Sequence, residues 1–313
     1  MEIVKAHAFG NDFLLLDEEA AGIPPGPDRA TLAREACDRH RGIGADGLIF
    51  FRRSGRFSAS MALLNADGSY SEISGNGIRC LGAWLAGEAG PGTSITIETD
   101  AGPKRLELLA RDRARTTFRA AMGLPEDVTR AFIDVEGVSV DAVTLRVGNP
   151  QCVVLGEVTE ARLHGLAAKL AVHPHFPAGT NVELASVETP DRVRILIWER
   201  GVGPTEASGT GACAAAVAAM QYGGAQRDVA VVSPGGSQRV EWREDGLYLT
   251  GSAEVIAVCD WRGGRGSADA DVTGADWALG PHAAKRARRG AAASAKGTAA
   301  RRRAARRRGG RGR

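Results

Sequence analysis

Nowhere in the chain do apolar residues approach the roughly 18 to 20 in succession that a membrane helix needs. The first residues also hold no apolar signal core, so we expect a soluble, cytoplasmic protein with no membrane partner. The five cysteines, Cys37, Cys80, Cys152, Cys213 and Cys259, are odd in number, scattered and free of any Cys-x-x-Cys spacing. That pattern supports neither a disulfide framework nor a zinc site. The pair in His173-Pro174-His175 has proline between its histidines and no carboxylate at ligand spacing, so it reads as a loop and we expect no metal. Acidic residues are missing from the end of the chain, where Pro281 to Arg313 holds 13 Lys and Arg and no Asp or Glu. The nominal net charge of +3 therefore hides an acidic body, with 27 basic against 37 acidic residues in 1–280, a net of about −10. The Arg-, Ala- and Gly-rich end is poor in large apolar side chains, which predicts a disordered tail over 263–313. Such a tail is either a solvated appendage or a means of touching nucleic acid or another acidic surface non-specifically.

Against these absences stands one pattern that occurs twice. Ser74-Gly75-Asn76-Gly77 runs into Ile78-Arg79-Cys80 and an apolar stretch, and Ser208-Gly209-Thr210-Gly211 runs into Ala212-Cys213 and an alanine-rich stretch. Each copy is a small hydroxyl residue, a Gly-x-Gly turn and then helix formers, which predicts a tight turn opening a helix. The first N–H groups of a helix have no partner within it, so such a turn offers donors and partial positive charge to an anion. Two copies in one chain predict a pseudo-symmetric pair of lobes with facing half-sites.

With 313 residues, 43% of them hydrophobic, the chain can fill two cores. β-rich runs predict short strands at Ile3–His7, Phe13–Asp17, Gly47–Phe51, Ser58–Leu64, Ser94–Thr99, Lys104–Leu109 and Arg115–Ala120 in the first half. In the second half they fall at Val143–Val147, Cys152–Leu155, Val182–Val187, Val193–Trp198, Val229–Val232, Gln238–Trp242, Leu247–Thr250 and Val255–Cys259. Helical spacing covers Asp28–His40 and Thr159–Ala171, besides the two helices after the glycine turns. The stretch Met122–Gly137 shows no period and reads as the crossing between domains. Many short strands with so few helices between them exclude a doubly wound parallel sheet and a helical bundle.

Seven stretches in order give the chain a specific likeness. They are Gly10-Asn11-Asp12-Phe13, Asn65-Ala66-Asp67-Gly68-Ser69, Gly75-Asn76-Gly77 with Arg79-Cys80, Gly148-Asn149-Pro150, Asn181, Glu199-Arg200-Gly201 and Gly209-Thr210-Gly211-Ala212-Cys213-Ala214. Over residues 1 to about 262 the chain resembles the diaminopimelate epimerase family. The resemblance implies an α+β fold of two pseudo-symmetric domains, each a β-barrel-like sheet around a central helix. Residues 1–121 would form the first, completed by a strand returning over 255–262, and 122–254 the second. It also implies a small-molecule amino-acid substrate, a homodimer, and interconversion of LL- and meso-diaminopimelate in lysine biosynthesis by proton transfer at the α-carbon, with no PLP, metal or nucleotide cofactor. Removing that weakly acidic proton requires preorganised donors for the developing carboxylate charge and an acid–base group on each face. The implied catalytic positions are Ser74 and Ser208. The implied substrate contacts are Asn11, Asn65, Gly75, Asn76, Asn149, Asn181, Glu199, Arg200, Gly209 and Thr210.

Four positions depart from the family pattern. The family has cysteine at both catalytic positions, where a helix field helps form a thiolate, whereas a serine hydroxyl needs a neighbouring base. Gly47 stands where a glutamine is usual, and Gln151 where a histidine is usual. Cys80 and Cys213 lie beyond the turns and are not obvious replacements. Binding residues are thus kept while the reacting groups change, which leaves three readings. These are an epimerase with Glu199 or a water as proton carrier, an isomerase or dehydratase acting on another amino acid, and a catalytically idle amino-acid binder.

Overall fold

A computed structural model describes residues 1–22, 28–71, 74–100 and 102–263 of the chain, and the expected tail lies outside the described residues from 264 onward. The first half runs through β1 (Glu2–Ala8), β2 (Asn11–Asp17), α1 (Glu18–Ala21), α2 (Asp28–Cys37), β3 (Gly47–Gly55), β4 (Ser58–Asn65) and β5 (Tyr70–Ser71). It continues with α3 (Gly75–Ala86), β6 (Ser94–Thr99), β7 (Gly102–Asp112) and β8 (Arg115–Gly123). The second half holds β9 (Glu126–Val135), β10 (Val138–Val147) and β11 (Asn149–Leu155). After α4 (Glu160–Arg162), a π-type turn at Leu163–Ala167 leads into α5 (Ala168–Ala171), β12 (Asn181–Thr189), β13 (Arg192–Glu199) and β14 (Gly203–Thr205). Helix α6 (Gly209–Tyr222), β15 (Asp228–Ser233), β16 (Gly236–Arg243) and β17 (Gly246–Asp260) complete it.

The pairings repeat between the halves. In the first, β1 and β2 are antiparallel, β2 and β3 parallel with α2 as crossover, β3 and β4 antiparallel, and β4 and β6 parallel with α3 as crossover. Antiparallel β7 and β8 follow, and β17 pairs with both β8 and β1, which closes eight strands into a barrel. The second half repeats this order, with β10–β11 antiparallel, β11–β12 parallel, β12–β13 antiparallel, β13–β15 parallel across α6, and β16 and β17 antiparallel beyond. Closure matters physically, because an open edge presents unpaired N–H and C=O groups.

Each long helix is the core of its own lobe. Ile78, Cys80, Leu81, Ala83, Leu85 and Ala86 of α3 are buried among strand residues that include Ile49, Leu106 and Phe118. Residues Ala212 to Ala219 of α6 are all fully buried among Val153, Ile195, Val231 and Leu249. A helix that is apolar all round is stable only when it is enclosed. Its small side chains let the surrounding strands close in, and each large strand side chain buried against it is worth about 1.5–3 kcal/mol. No helix among the described residues is long and apolar enough to cross a membrane.

Several sequence expectations need correction. Met122–Gly137, read as aperiodic, contains strand β9, which pairs along its length with β10 through a hairpin at Glu136-Gly137. The two strands expected at Leu247–Thr250 and Val255–Cys259 are one strand, β17. Helix α2 stops at Cys37 rather than His40, because the Asp38 carboxylate accepts the backbone N–H groups of His40 and Arg41 and draws the chain into a turn.

Candidate active site

The two glycine turns meet where the lobes touch. Ser74 and Ser208 are extended residues that cap α3 and α6, each accepting a hydrogen bond from the N–H three residues on, at 3.1 Å from Gly77 and 3.2 Å from Gly211. The helices approach end to end, so that a β-carbon placed on Gly75 would lie 4.0 Å from the Gly209 α-carbon. Glycine at both positions allows this approach. The early N–H groups of the two helices, which no intrahelical carbonyl can satisfy, are thereby gathered at one junction between the lobes. Two positive helix ends side by side are costly unless an anion joins them.

Around this junction the other expected residues fall into two sets. In the first lobe, Asn11 opens β2 and Asn65 ends β4, and strand β3 lies between them through the register of Phe13 with Gly47 and of Gly47 with Asn65. The Asn11 side-chain carbonyl is buried without a hydrogen-bond partner, and Asn65 Nδ2 donates to Ser69 Oγ at 3.0 Å. A charge cluster fixes this edge. Arg39 donates to both Asp12 oxygens at 3.2 and 2.8 Å and to Asp46 at 2.8 Å, and Lys5 lies 3.0 Å from Asp12. Burial alone would raise Asp12, but the bonds from Arg39 and Lys5 hold it below the ordinary carboxylate value. Gly47 is closed to larger residues as built, since a β-carbon there would sit 2.9 Å from the Leu64 carbonyl oxygen.

In the second lobe, Asn149, Asn181 and Glu199 with Arg200 gather at one end of β11, β12 and β13, where Gln151 is in register with Asn181 and Val182 with Trp198. Asn181 accepts the Arg200 N–H at 2.9 Å, and Arg200 Nη1 donates to the Ala178 carbonyl at 2.8 Å. Asn149 accepts from Gln151 Nε2 at 2.6 Å, leaving the buried Gln151 Oε1 unpartnered. Thr210 Oγ1 is 3.4 Å from Ser208 Oγ. Burial raises the Glu199 carboxyl above its ordinary range, and the neighbouring Ser208 hydroxyl draws it part of the way back. Ser208 therefore has what a serine needs in order to move a proton, a carboxylate partner poised for protonation.

Sequence reasoning missed two groups. Glu183, two residues beyond Asn181 on β12, is 0% exposed, and neither carboxyl oxygen has a hydrogen-bond partner. Its Oε1 would lie 2.6 Å from a β-carbon on Gly211, which places it under the first turn of α6. Burial first, and the Glu199 carboxylate second, raise it well above the ordinary glutamate value, which favours its neutral form. The signal for it was a carboxylate in an otherwise apolar strand, Val182 to Ala185. The second is Arg79 with Gln238, a bond that links the lobes. Cys80 and Cys213 are fully buried in the helices, and burial pushes the Cys213 thiol up to about 12 and that of Cys80 higher still. Neither is a base at neutral pH. His173, for its part, contacts the Asp134 carbonyl at 2.9 Å from its Nε2.

Two pseudo-equivalent lobes, each a sheet around one helix with the helix ends meeting between them, define a two-lobed fold that solved structures share. A probable proline racemase from Agrobacterium radiobacter superposes with a TM-score of 0.62 at 18% identity, covering 83% of this chain and 92% of that one. The model of the family described as diaminopimelate epimerase matches residues 3–126 and 143–256. The diaminopimelate epimerase of Desulforudis audaxviator is 40% identical over 280 residues, 83% of this chain and 99% of that protein. That of Desulfitobacterium hafniense is 38% identical over 272 residues, 82% and 96% of the two chains. The chain belongs to the diaminopimelate epimerase family.

Proposed function

We propose that the protein is an isomerase that interconverts LL- and meso-diaminopimelate by cofactor-independent proton transfer at the α-carbon, in lysine biosynthesis. The observation that carries this reading is the meeting of two serine-capped helix N-termini, one of whose serines neighbours the half-buried Glu199 carboxyl, itself of raised pKa. The family relatives named above support the choice of substrate. The free N–H groups around Gly75, Asn76, Gly209 and Thr210 receive the α-carboxylate and stabilise the enediolate that forms when the Cα–H bond breaks. On one face the proton passes by way of the Ser208 hydroxyl to Glu199, and on the other Ser74 occupies the corresponding place. Asn11, Asn65, Asn149, Asn181 and Arg200 hold the remaining amino and carboxylate groups, with complementary donors and acceptors on both lobes. In this reading the domains are 1–121 completed by 255–262, and 122–254.

The proposal also includes a cytoplasmic homodimer. Supporting it, Ile256 and Val258 are about half exposed on the part of β17 that lies beyond its pairing with β8 and has strand β1 on one edge. Contact of the basic C-terminal tail with nucleic acid or another acidic surface is a further part of the proposal, supported by its charge alone. The deciding experiment is proton NMR of the purified protein with each diaminopimelate isomer in D2O without added cofactor, followed by chiral chromatography. We expect loss of the α-proton signal together with the other stereoisomer. Loss of the signal with an unsaturated or keto product, or binding with no exchange above a protein-free control, overturns the epimerase reading.

A further inference from the structure

Among the described residues Arg79 is the largest of the fully buried side chains, 1% exposed, and no carboxylate of those residues accepts a hydrogen bond from it. Its guanidinium donates to Asn76 Oδ1, and to Gln238 Oε1 at 3.1 Å, and lies over the Phe9 ring at 5.5 Å, while its Nε has no partner. These contacts form a closed circuit between the lobes. Asn76 Nδ2 donates to the Ala207 carbonyl at 3.1 Å, and Gln238 Nε2 to the carbonyl of the next residue, Ser208, at 3.4 Å. One arginine of α3 thus reaches through the Asn76 amide to Ala207 and through the Gln238 amide to Ser208, which caps α6. Its Nη1 would be 3.8 Å from a β-carbon on Gly209.

A buried unpaired cation costs several kcal/mol and is kept only where something repays it. Burial brings Arg79 down to about 10, so it remains charged at neutral pH. The titratable groups that act on it are the thiols of Cys80 and Cys213, both held neutral by burial. A full positive charge therefore sits beside two positive helix ends, and the carboxyl nearest the α6 cap, Glu199, is pushed toward its neutral form by burial. This arrangement is unfavourable until a negative charge arrives.

We infer that Arg79 is a positioning residue whose buried charge, held between Asn76 and Gln238, makes the junction of the two turns strongly positive for a bound carboxylate and its enediolate. The inference deepens the reading of this junction as the reacting site and rests on it, but its central test needs no substrate. Ser208→Cys introduces a thiol at the cap of α6, and titrating its ionisation by ultraviolet absorbance, with the wild-type chain alongside to subtract native thiols, reports the local potential. Adding Arg79→Gln is expected to lower that thiol's ionisation constant about tenfold. Gln238→Leu, which breaks the circuit but keeps the charge, should change it less than threefold, a margin about half as wide on a logarithmic scale as the tenfold shift. Should Arg79→Gln not fold, Gln238→Glu neutralises the guanidinium in place and is expected to give the same tenfold fall. An ionisation constant unmoved by either charge change, or moved as far by Gln238→Leu, overturns the inference. In the serine background, α-proton exchange of diaminopimelate should fall with Arg79→Gln and recover in part with Arg79→Lys. Failure of the wild type to exchange would sink the substrate assignment and leave the titration to judge Arg79.

Discussion

Replacing Glu183 by Gln tests the electrostatics beneath α6 directly. The native side chain is fully buried with both oxygens unbonded, so its carboxyl is held well above the ordinary value in the folded protein. In the unfolded chain it titrates near 4.5. Because the folded pKa is raised, the folded state binds more protons than the unfolded state between those two values. The stability contributed is fully present below the unfolded value and is lost as pH rises toward the folded one. The loss is about 1.4 kcal/mol per pH unit for one proton. Gln has nearly the same shape and no titration, so the difference in stability between variant and wild type should grow in the variant's favour, by up to about 1.4 kcal/mol per pH unit, as pH rises from the unfolded value toward the folded one. At about 2–4 °C per kcal/mol for a protein of this size, that is up to roughly 3–6 °C in the relative Tm per pH unit. Thermal unfolding of both proteins across that range, followed by circular dichroism, gives the comparison. Parallel Tm curves for the two would refute the reasoning, since they would mean that Glu183 is ionised, and paired, in the folded protein.

Other outcomes follow from the site. Glu199→Gln removes the carboxylate that serves Ser208 and should lower the rate of α-proton exchange by about 100- to 10,000-fold, with diaminopimelate still bound in a calorimetric titration; an unchanged rate would remove Glu199 from the proton path. Substituting both Ser74 and Ser208 by Cys should raise the exchange rate, because a thiol at a helix N-terminus ionises far more readily than a hydroxyl, and a rate unchanged or lost would argue against their assigned roles. Gly47→Gln, although it introduces the side chain usual in the family, should cost about 1–3 kcal/mol, because its β-carbon meets the Leu64 carbonyl; a Tm equal to wild type would show that β4 yields there.

What could be read from the chain and what could not divide along physical lines. The turns at Ser74 and Ser208 were legible because a cap, a Gly-x-Gly and a run of helix formers act locally, within a few residues. Strand β9 was not. Of its side chains only Ile133 and Val135 are buried, Phe132 faces solvent, and the strand is held by pairing to β10 rather than by an alternating face. Strand β17 was read as two because Gly251-Ser252 interrupts its pattern, yet it stays continuous because its neighbours change along its length from β16 to β8 to β1. The bond from Arg79 to Gln238 spans 159 positions and leaves no local trace in either segment.

The order in which the chain leaves the ribosome bears on that last strand. The first barrel is closed by β17, where Glu2 pairs with Asp260, so nearly the whole folded body must be synthesised before its earliest strand finds its partner. Until then β1 and β8 each lack a neighbour on one edge. The first barrel, although most of it precedes the second in the chain, is closed last.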